Sequence, residues 1–367
     1  MSNNKFHDKA FTESTLTKLE LYRGYLRSWL PVFINNPNKF NRIQVYDFFS
    51  GPGKDLDGND GSPMIAIQEI HSALEANEKR ISPILQIRLV LNDKDQEQTE
   101  KLHETIALKK FERDHFTIEV FDQDFLSLYE QEKVRMHRSG TANLVFIDQC
   151  GIKEITQKVF SGLTSIPSTD MIFFTSSAIL NRMKAQPTIT NLVPSLSGEE
   201  FDKMTGKNVH RILSDSYRKW LPAKREYFLG DFSLKNKANV YGLIFGSGHI
   251  LGLLKFLNVA WKISSTGDAN YDIDGDDIDE KRPSLFSEYN RPTKIKAFEV
   301  KVRKGIREKH FETNYDILRF AVENGMLPKH AKQTFESAIK EGMLPKQSLG
   351  KFSECWKKNN IRKLDYG

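Results

Sequence analysis

One acid and two glycines lie where an apolar run of the chain ends in a turn. In the segment IQVYDFFSGPG (43–53), Asp47 precedes Gly51 and Gly53. A strand that runs into a glycine turn brings backbone N–H groups close to a bound nucleotide, because no Cβ blocks the approach. An ordinary strand–turn of an α/β enzyme is the alternative, since short glycine motifs often match by chance. The candidate cofactor-binding residues of this segment are Asp47, Phe49, Ser50, Gly51 and Gly53.

Three further acids follow later apolar runs: Asp93, Asp124 and Asp148. The carboxyl ends of parallel strands meet at one edge of a sheet, so these acids are expected to converge on one cleft. Asp93, with Asp95 as the alternative, would accept hydrogen bonds from ribose hydroxyls. Asp124, or Asp122, would lie beside an adenine amine. Asp148 would face a second substrate.

The kind of cofactor follows from what the glycine turn lacks. No Gly-Lys-Ser/Thr follows the glycines, which argues against a phosphate-gripping Walker loop. The turn also lacks the full Gly-x-Gly-x-x-Gly spacing of dinucleotide binders. Both observations favour S-adenosylmethionine over ATP or NAD. No metal is expected, because no histidine pair has ligand spacing and the acidic stretch 268–280 lacks the glycine and glutamate of a calcium loop.

Apolar runs alternate with helical stretches along most of the chain, which predicts a Rossmann-like parallel sheet with helices on both faces. A helix is expected over 12–34, and another from Ser62, read as an N-cap hydroxyl before Pro63. Residues 181–238 break the alternation and are interpreted as an insertion over the sheet. The expected strands are the run that ends at Asp47, then 86–93, 116–125, 143–151 and 169–177, and one more within 239–263.

The C-terminal region is expected to form a second domain, 291–367, after a first domain of 1–290. Two short helices are predicted after residue 311, and the phrase GMLPK occurs at 325–329 and again at 342–346. Each copy combines a glycine C-cap with a proline that cannot continue the helix. This pattern favours a helix-turn-helix or winged-helix module, with a module that only packs against the first domain as the alternative.

Positive charge is concentrated in the same region. Residues 281–367 hold 20 Lys/Arg and 10 Asp/Glu, a net charge of +10, whereas the whole chain of 367 residues carries +6. A basic region beside a near-neutral body indicates a polyanion such as nucleic acid as partner, and an ordinary solvated surface is the alternative. No apolar stretch approaches the ~20 residues of a membrane span, the N-terminus does not resemble a signal peptide, and there are two cysteines. A reduced, cytoplasmic protein without membrane contact is therefore expected.

Taken together, the motifs resemble the three-Cys-motif partner protein (TcmP) family. The resemblance rests on TKLELYRGYL, DFFSGPG followed by DGSPMIAI, IDQCG, YGLIFGSGHILGLLKF and TNYDILRFAVENGMLPKHA. It implies a first domain like class I S-adenosylmethionine-dependent methyltransferases. It also implies a partner, a radical S-adenosylmethionine protein that carries the three cysteines.

The resemblance assigns Asp47, Gly51 and Gly53 to the cofactor loop and Asp93 to the ribose. It assigns Asp148 to the start of the motif after the fourth strand. Members of the family, like amino-methylating enzymes, tend to have Asp-Pro followed by an aromatic residue there, whereas this chain continues from Asp148 with Gln149, Cys150 and Gly151. Asp148 and Gln149 are the candidate catalytic residues, as acceptors or polar contacts for an exocyclic amine.

Whether the chain is an enzyme is left open at this stage. The intact loop from Asp47 to Gly53 favours a methyltransferase that acts on nucleic acid. The altered motif after Asp148 favours a degenerate methyltransferase fold that binds nucleic acid beside the radical protein. An adaptor without any ligand is the third hypothesis, and the acids at successive strand ends speak against it.

Overall fold

A computed structural model of the chain describes residues 10–108, 114–148, 154–176, 209–221, 225–236, 239–264, 267, 269 and 293–367. The chain divides into two compact units, Met1–Gly252 and Leu253–Gly367. Residue 290, the boundary expected from the sequence, lies outside the described residues, so the division at Gly252 is the one that the contacts define.

The first unit contains one seven-stranded sheet in the order β3-β2-β1-β4-β5-β7-β6. Strands β1 to β5 run parallel, and β7 pairs antiparallel with both β5 and β6. This architecture confirms the Rossmann-like α/β sheet that the alternating pattern predicts. The strands are β1 Arg42–Asp47, β2 Gln86–Asn92, β3 Phe116–Phe121, β4 Thr141–Ile147, β5 Thr169–Ser176, β6 Phe228–Asn236 and β7 Asn239–Ser247.

Helices link the parallel strands, because a parallel pair needs a long crossover connection. Helices α1 and α2 pack against each other, and α4 and α5 pack on the strands that follow them. The α-helices of the described residues are α1 Glu13–Ile34, α2 Ser62–Asn77, α3 Gln96–Ala107, α4 Phe125–Met136, α5 Gln157–Ser165, α6 Val209–Lys219, α7 Ile250–Ile263, α8 Thr293–Arg307, α9 Asn314–Glu323 and α10 Pro328–Lys340.

The strand order reverses between β1 and β4, which are neighbours in space but not in sequence. In open α/β sheets, ligands bind outside the carboxyl ends of the strands at such a switch point. Asp47 is the last residue of β1, and Asp148 follows directly after β4. The sheet therefore brings two of the predicted site residues to the two sides of the switch point.

The region assigned to an insertion, 181–238, differs from the prediction in part. Its last segment, β6, is the edge strand of the sheet and pairs along its whole length with β7. Helix α6 packs on these two strands. Residues 177–208 lie outside the described residues. The interruption of the alternating pattern thus includes an antiparallel edge strand of the same sheet.

In the second unit, α10 packs against both α8 and α9. Gly325, at φ 68, ends α9 in the left-handed conformation that the GMLPK pattern predicts for a C-cap. The two helices of the predicted helix-turn-helix are therefore present. No β-hairpin follows α10 in the described residues 341–367, so the wing of a winged helix is not found there.

Instead of a wing, an irregular segment wraps around the first residue of α9, Asn314. Its side-chain amide donates to the carbonyls of Leu349 and Asn360, at 2.9 Å each, and its Oδ1 accepts from the N–H of Arg362 at 2.9 Å. The thiol of Cys355 donates to the Asn314 carbonyl at 3.5 Å. One fully buried asparagine thus holds three points of the C-terminal segment.

Replacing Asn314 with alanine should destabilise this segment strongly. Three side-chain hydrogen bonds are lost at a buried position, and each contributes about 1 kcal/mol. We expect the free energy of unfolding to fall by about 3 kcal/mol and residues 346–367 to become sensitive to protease. Chemical denaturation and limited proteolysis measure the two effects. The exposed Asn359→Ala is the control, and equal stabilities of the two variants would contradict this assignment.

Candidate functional site

The glycine turn after β1 is held by the acid that follows β2. Gly51 has φ 60, and its N–H donates to Asp93 Oδ2 at 3.0 Å. The other oxygen, Oδ1, accepts from the N–H of Asp95 at 3.0 Å. Asp93 therefore fixes two loops at once, and each carboxylate oxygen keeps a second lone pair for a ligand hydroxyl.

Gly53 serves the packing of the turn. It has φ 87, and a Cβ built on it would lie 2.9 Å from Leu102 Cδ1 and 3.6 Å from Met64 Cγ. The carbonyl of Gly53 also accepts from the N–H of Gly61 at 2.8 Å. The second glycine of the motif thus allows the turn to pack against α2 and α3, rather than leaving room for a ligand.

Gly53→Ala should cost about 3 kcal/mol of unfolding free energy. Alanine meets a left-handed backbone penalty of about 1–2 kcal/mol, and the crowded Cβ adds an overpacking term of similar size. Gly58→Ala is the matched control, because Gly58 has φ 80 but nothing within 4 Å of its Cβ. Urea denaturation should give the larger loss of unfolding free energy for Gly53→Ala. In a Leu102→Ala background, the additional loss caused by Gly53→Ala should shrink and that caused by Gly58→Ala should not change. Equal losses in both variants would show that crowding is unimportant.

Asn92, the last residue of β2, joins the carboxyl ends of three strands. Its amide donates to the carbonyls of Phe48 and Gln123, at 3.2 and 3.0 Å, and its Oδ1 accepts from the N–H of Gln123 at 3.0 Å. Its carbonyl accepts from both the N–H and the hydroxyl of Ser50. Sequence reasoning missed this residue, although a polar side chain that closes an apolar strand was a usable signal.

Asp47 is fully buried, and its carboxyl group has an unusual environment. Burial raises the pKa of Asp47 to about 7, and the charges of Asp148 and Asp93 act in the same direction. A hydrogen bond from the Ser62 hydroxyl and one from the Phe49 N–H oppose the rise in pKa. Oδ2 has no hydrogen-bond partner among the described residues. A buried carboxylate oxygen without a donor is costly, and a cationic ligand group would satisfy it.

The role of Ser62 differs from the prediction. The N-cap of α2 is Gly61, and Ser62 is already the first helical residue, with Pro63 after it. Its hydroxyl therefore makes no capping bond and is free to bond Asp47 instead. The dipeptide still marks the helix start, but the serine serves the site rather than the cap.

Asp148 is not free in this structure. Its carboxylate forms an ion pair with Lys18 of α1, and the two side chains are 29% and 14% exposed. The Lys18 ammonium also lies 5.0 Å from the ring centroid of Phe174 on β5. The cation stands between a carboxylate and an aromatic face, which are two groups that bind amines. The Lys18 ammonium therefore occupies the position beside Asp148 that the sequence analysis predicts for the acceptor amine.

Tyr22, one turn after Lys18 on α1, also reaches the site. It is fully buried, its ring lies 4.2 Å from that of Phe146 on β4, and its hydroxyl has no partner among the described residues. Burial and the charge of Asp47 together raise the pKa of Tyr22 well above its usual value. Two unpartnered polar groups therefore lie within electrostatic reach of each other beside the glycine turn.

The other predicted residues lie further from this centre. Asp124 caps α4 by accepting from the N–H of Leu126 at 3.1 Å, and forms an exposed ion pair with Lys94 at 3.5 Å. The ring of Phe49 lies 5.6 Å from that of Phe125. Gln149 lies outside the described residues. The structure thus brings Asp47, Asp93 and Asp148 together and leaves Asp124 at the rim.

Within the described part of the chain, no group of three or more His, Cys, Asp or Glu side chains could hold a metal ion. No helix found there has the length and apolar character that crossing a bilayer requires.

Comparison with known proteins gives similarity to solved structures alone. No protein family profile matches the sequence, and no curated protein matches it. Trm1 from Pyrococcus horikoshii, solved with S-adenosyl-L-methionine, is 14% identical over 63% of this chain and 55% of that chain, with a TM-score of 0.35. The O-methyltransferase TomG from Streptomyces achromogenes, also solved with S-adenosylmethionine, is 10% identical over 67% of this chain and 99% of that chain, with a TM-score of 0.33.

Similarity at this level carries no argument about function, and the chain spans only about half the length of Trm1. The fold class rests on the strands themselves. Five parallel strands with the 3-2-1-4-5 order, followed by an antiparallel β7 between β5 and β6, form the Rossmann-like sheet of class I methyltransferases. The family resemblance to three-Cys-motif partner proteins stays a prediction.

Proposed function

We propose that this chain binds S-adenosylmethionine at the carboxyl end of β1 and transfers its methyl group to nucleic acid. The observation that carries the proposal is the fully buried Asp47, whose Oδ2 has no hydrogen-bond partner in the part of the chain that the structure describes and lies beside the Asp93-anchored turn at Gly51. S-adenosylmethionine combines an amino-acid ammonium, a ribose and an adenine. The Asp47 carboxylate would pair with the ammonium, and the free lone pairs of the Asp93 carboxylate would accept hydrogen bonds from the ribose hydroxyls.

The bound cofactor would supply an electrophilic methyl group, and the residues of this chain would position the acceptor. Alignment of the two reactants accounts for much of such catalysis, so no strong base is required. Asp148 would orient the acceptor amine once Lys18 is displaced from it. The net charge of +10 over residues 281–367 supports nucleic acid as the acceptor.

Calorimetric titration of the full chain with S-adenosylmethionine and S-adenosylhomocysteine tests the cofactor. We expect micromolar binding of both ligands, and loss of binding in Gly51→Val, because valine does not adopt φ 60 and the turn would move away from Asp93. Gly58→Val is the control for backbone strain, since Gly58 lies in open space. No binding of either ligand to the unchanged chain would overturn the proposal.

Transfer of a labelled methyl group from S-adenosylmethionine to mixed RNA and DNA tests the catalytic half. Asp148→Asn should abolish transfer while the cofactor still binds. Unchanged transfer in this variant would remove Asp148 from the reaction.

A second candidate function is favoured by the ion pair between Lys18 and Asp148. If this pair persists when ligands bind, the fold would serve as a binding partner rather than an enzyme. The chain would then recognise nucleic acid beside a radical S-adenosylmethionine protein with three cysteines, as the family resemblance implies. Cofactor binding without any methyl transfer, in both the unchanged chain and Lys18→Met, is the result that supports this candidate.

A further inference from the structure

The second unit ends in a strongly basic segment, residues 346–363, called the cationic tail below. It contains six basic side chains and one acid, Glu354. All six basic residues are exposed. They are Lys346, Lys351, Lys357, Lys358, Arg362 and Lys363.

The backbone of the cationic tail is fixed although it contains only two short 3-10 turns. Besides the bonds to Asn314, the side chains of Leu349, Phe352 and Cys355 are buried and anchor it from within. Arg362 is held through its backbone on both sides, since its carbonyl also accepts from the Asn314 N–H at 2.9 Å. A charged surface on an ordered backbone loses little entropy when it binds a partner.

The two ends of the cationic tail come together in space. The guanidinium of Arg362 lies over Gly350, where a Cβ would be 2.5 Å from its Nε. Arg362 therefore lies beside Lys351, eleven positions earlier in the sequence. Lys363 forms a β-bridge with Thr313. The end of the cationic tail is thus folded back against residues 313 and 350 instead of following a loose terminus.

Most of this charge has no ion-pair partner among the described residues. Lys357 pairs with Glu354 at 2.8 Å. No ion pair links any of the other five basic side chains to a residue that the structure describes. Arg303 on α8 and Arg319 on α9, by contrast, do form ion pairs, with Glu341 and Glu323. Five of the six basic side chains of the cationic tail therefore have no ion-pair partner among the described residues.

We propose that the cationic tail binds the phosphate backbone of single-stranded nucleic acid. Closely spaced phosphates match several lysines and arginines on one ordered segment, and the release of counterions drives such binding. The half-buried indole of Trp356 lies within the same segment, with the Lys357 ammonium 5.1 Å from its ring centroid, and aromatic rings beside cations are the groups on which the bases of a single strand stack. This inference rests on the nucleic-acid part of the proposed function and is independent of its cofactor part.

Fluorescence anisotropy of a labelled single-stranded 20-mer, without any cofactor, tests the inference. Arg362→Glu/Lys363→Glu should weaken binding about tenfold or more at 100 mM salt and should lower the slope of log K against log salt by about 2. Lys79→Glu/Arg80→Glu, on the first unit, changes the net charge equally and is the matched control. It should leave affinity within about twofold, since its residues are exposed and distant in sequence from the cationic tail.

A second variant, Lys351→Glu/Lys358→Glu, protects the test against misfolding, because these side chains make no hydrogen bond among the described residues. It should show the same loss, with an unchanged melting temperature. Equal weakening of binding by Lys79→Glu/Arg80→Glu would indicate that the net charge of the whole protein attracts the oligonucleotide, and it would overturn the inference. Binding to anionic lipid vesicles but not to the oligonucleotide would also overturn it. Failure of cofactor binding alone would leave the oligonucleotide result unaffected and count only against the methyltransferase proposal.

Discussion

Binding of S-adenosylhomocysteine is expected to strengthen about 25-fold between pH 5.5 and pH 7.5. The pKa of Asp47 in the free chain is about 7. Its ionised fraction therefore rises from a few per cent to about three quarters over this range. Only the ionised carboxylate pairs with the ligand ammonium, so the apparent affinity follows this fraction. Binding should also release a proton, since the bound cation lowers the pKa of Asp47.

The measurement is calorimetry across this pH range in two buffers with different ionisation enthalpies. Asp47→Asn is the control, because it keeps the shape of the side chain and cannot ionise. It should bind weakly and almost independently of pH. A pH profile shared by both proteins would show that another group is responsible and would remove Asp47 from the ligand site.

The stability of the free chain should follow the opposite trend. A carboxyl group with a raised pKa binds its proton more tightly in the folded state. The contribution of Asp47 to the free energy of unfolding therefore falls as the pH rises from about 4 to about 7. Asp170, which is also buried, has a pKa raised to about 6 by burial and contributes in the same direction, whereas burial lowers the pKa of His330 to about 4 and this group contributes in the opposite direction. Thermal melting at several pH values should therefore reveal the contribution of Asp47 as a pH-dependent difference between the unchanged chain and Asp47→Asn.

The strand ends and the glycine turn could be predicted because their signals are local. An apolar run that stops at Asp47 before two glycines determines a strand, its end and the turn within about ten residues. Asp93 and Asp148 follow from the same rule, since parallel strands expose their carboxyl ends at one edge. The structure adds that β1 and β4 are neighbours in the sheet. The sequence pattern is compatible with this strand order but does not determine it.

The contribution of α1 could not be predicted because it depends on contacts between distant segments. Tyr22 has the spacing of an ordinary core residue on an amphipathic helix. Lys18 meets Asp148 130 positions later in the chain. Periodicity shows which face of a helix is buried, but it does not show which strand end that face covers.

Strand β6 and the C-terminal segment also differ from the prediction, because neither has a strong periodic pattern in the sequence. Strand β6 contains Gly230, Asp231 and Lys235, which weaken the apolar pattern, and such residues are tolerated at an edge that pairs on one side only. The C-terminal segment has no period at all, because the hydrogen bonds of Asn314 rather than a regular ladder hold it. Sequence patterns report regular elements, and both features are irregular or marginal.

Tyr22→Phe is expected to weaken binding of S-adenosylhomocysteine about three- to tenfold without destabilising the free chain. The hydroxyl is buried, has no partner among the described residues and lies near the equally unpartnered Oδ2 of Asp47. A ligand ammonium between them could donate to both oxygens, and one such bond contributes about 0.5–1.5 kcal/mol. Removing a buried hydroxyl without a partner should leave the free energy of unfolding unchanged or raise it slightly.

Tyr25→Phe is the matched control from the next turn of α1. Tyr25 is as buried as Tyr22, but its hydroxyl donates to Asp170 Oδ2 at 2.6 Å. Its loss should lower the free energy of unfolding by about 1–3 kcal/mol, because the bond is to a buried carboxyl group, and should leave ligand affinity unchanged. Tyr22→Phe should thus lower ligand affinity alone, and Tyr25→Phe should lower the free energy of unfolding alone.

The ligand 5′-methylthioadenosine completes the argument, because it keeps the nucleoside and lacks the amino-acid tail. Tyr22→Phe should bind it as well as the unchanged chain does, whereas the affinity for S-adenosylhomocysteine falls. Equal losses for both ligands would show that Tyr22 shapes the whole pocket rather than contacting the tail. A destabilisation of Tyr22→Phe as large as that of Tyr25→Phe would show that the hydroxyl already has a partner in the free protein, such as a bound water. Three results together would place α1 in the ligand site. Tyr22→Phe keeps the stability of the unchanged chain, binds S-adenosylhomocysteine more weakly, and binds 5′-methylthioadenosine equally well.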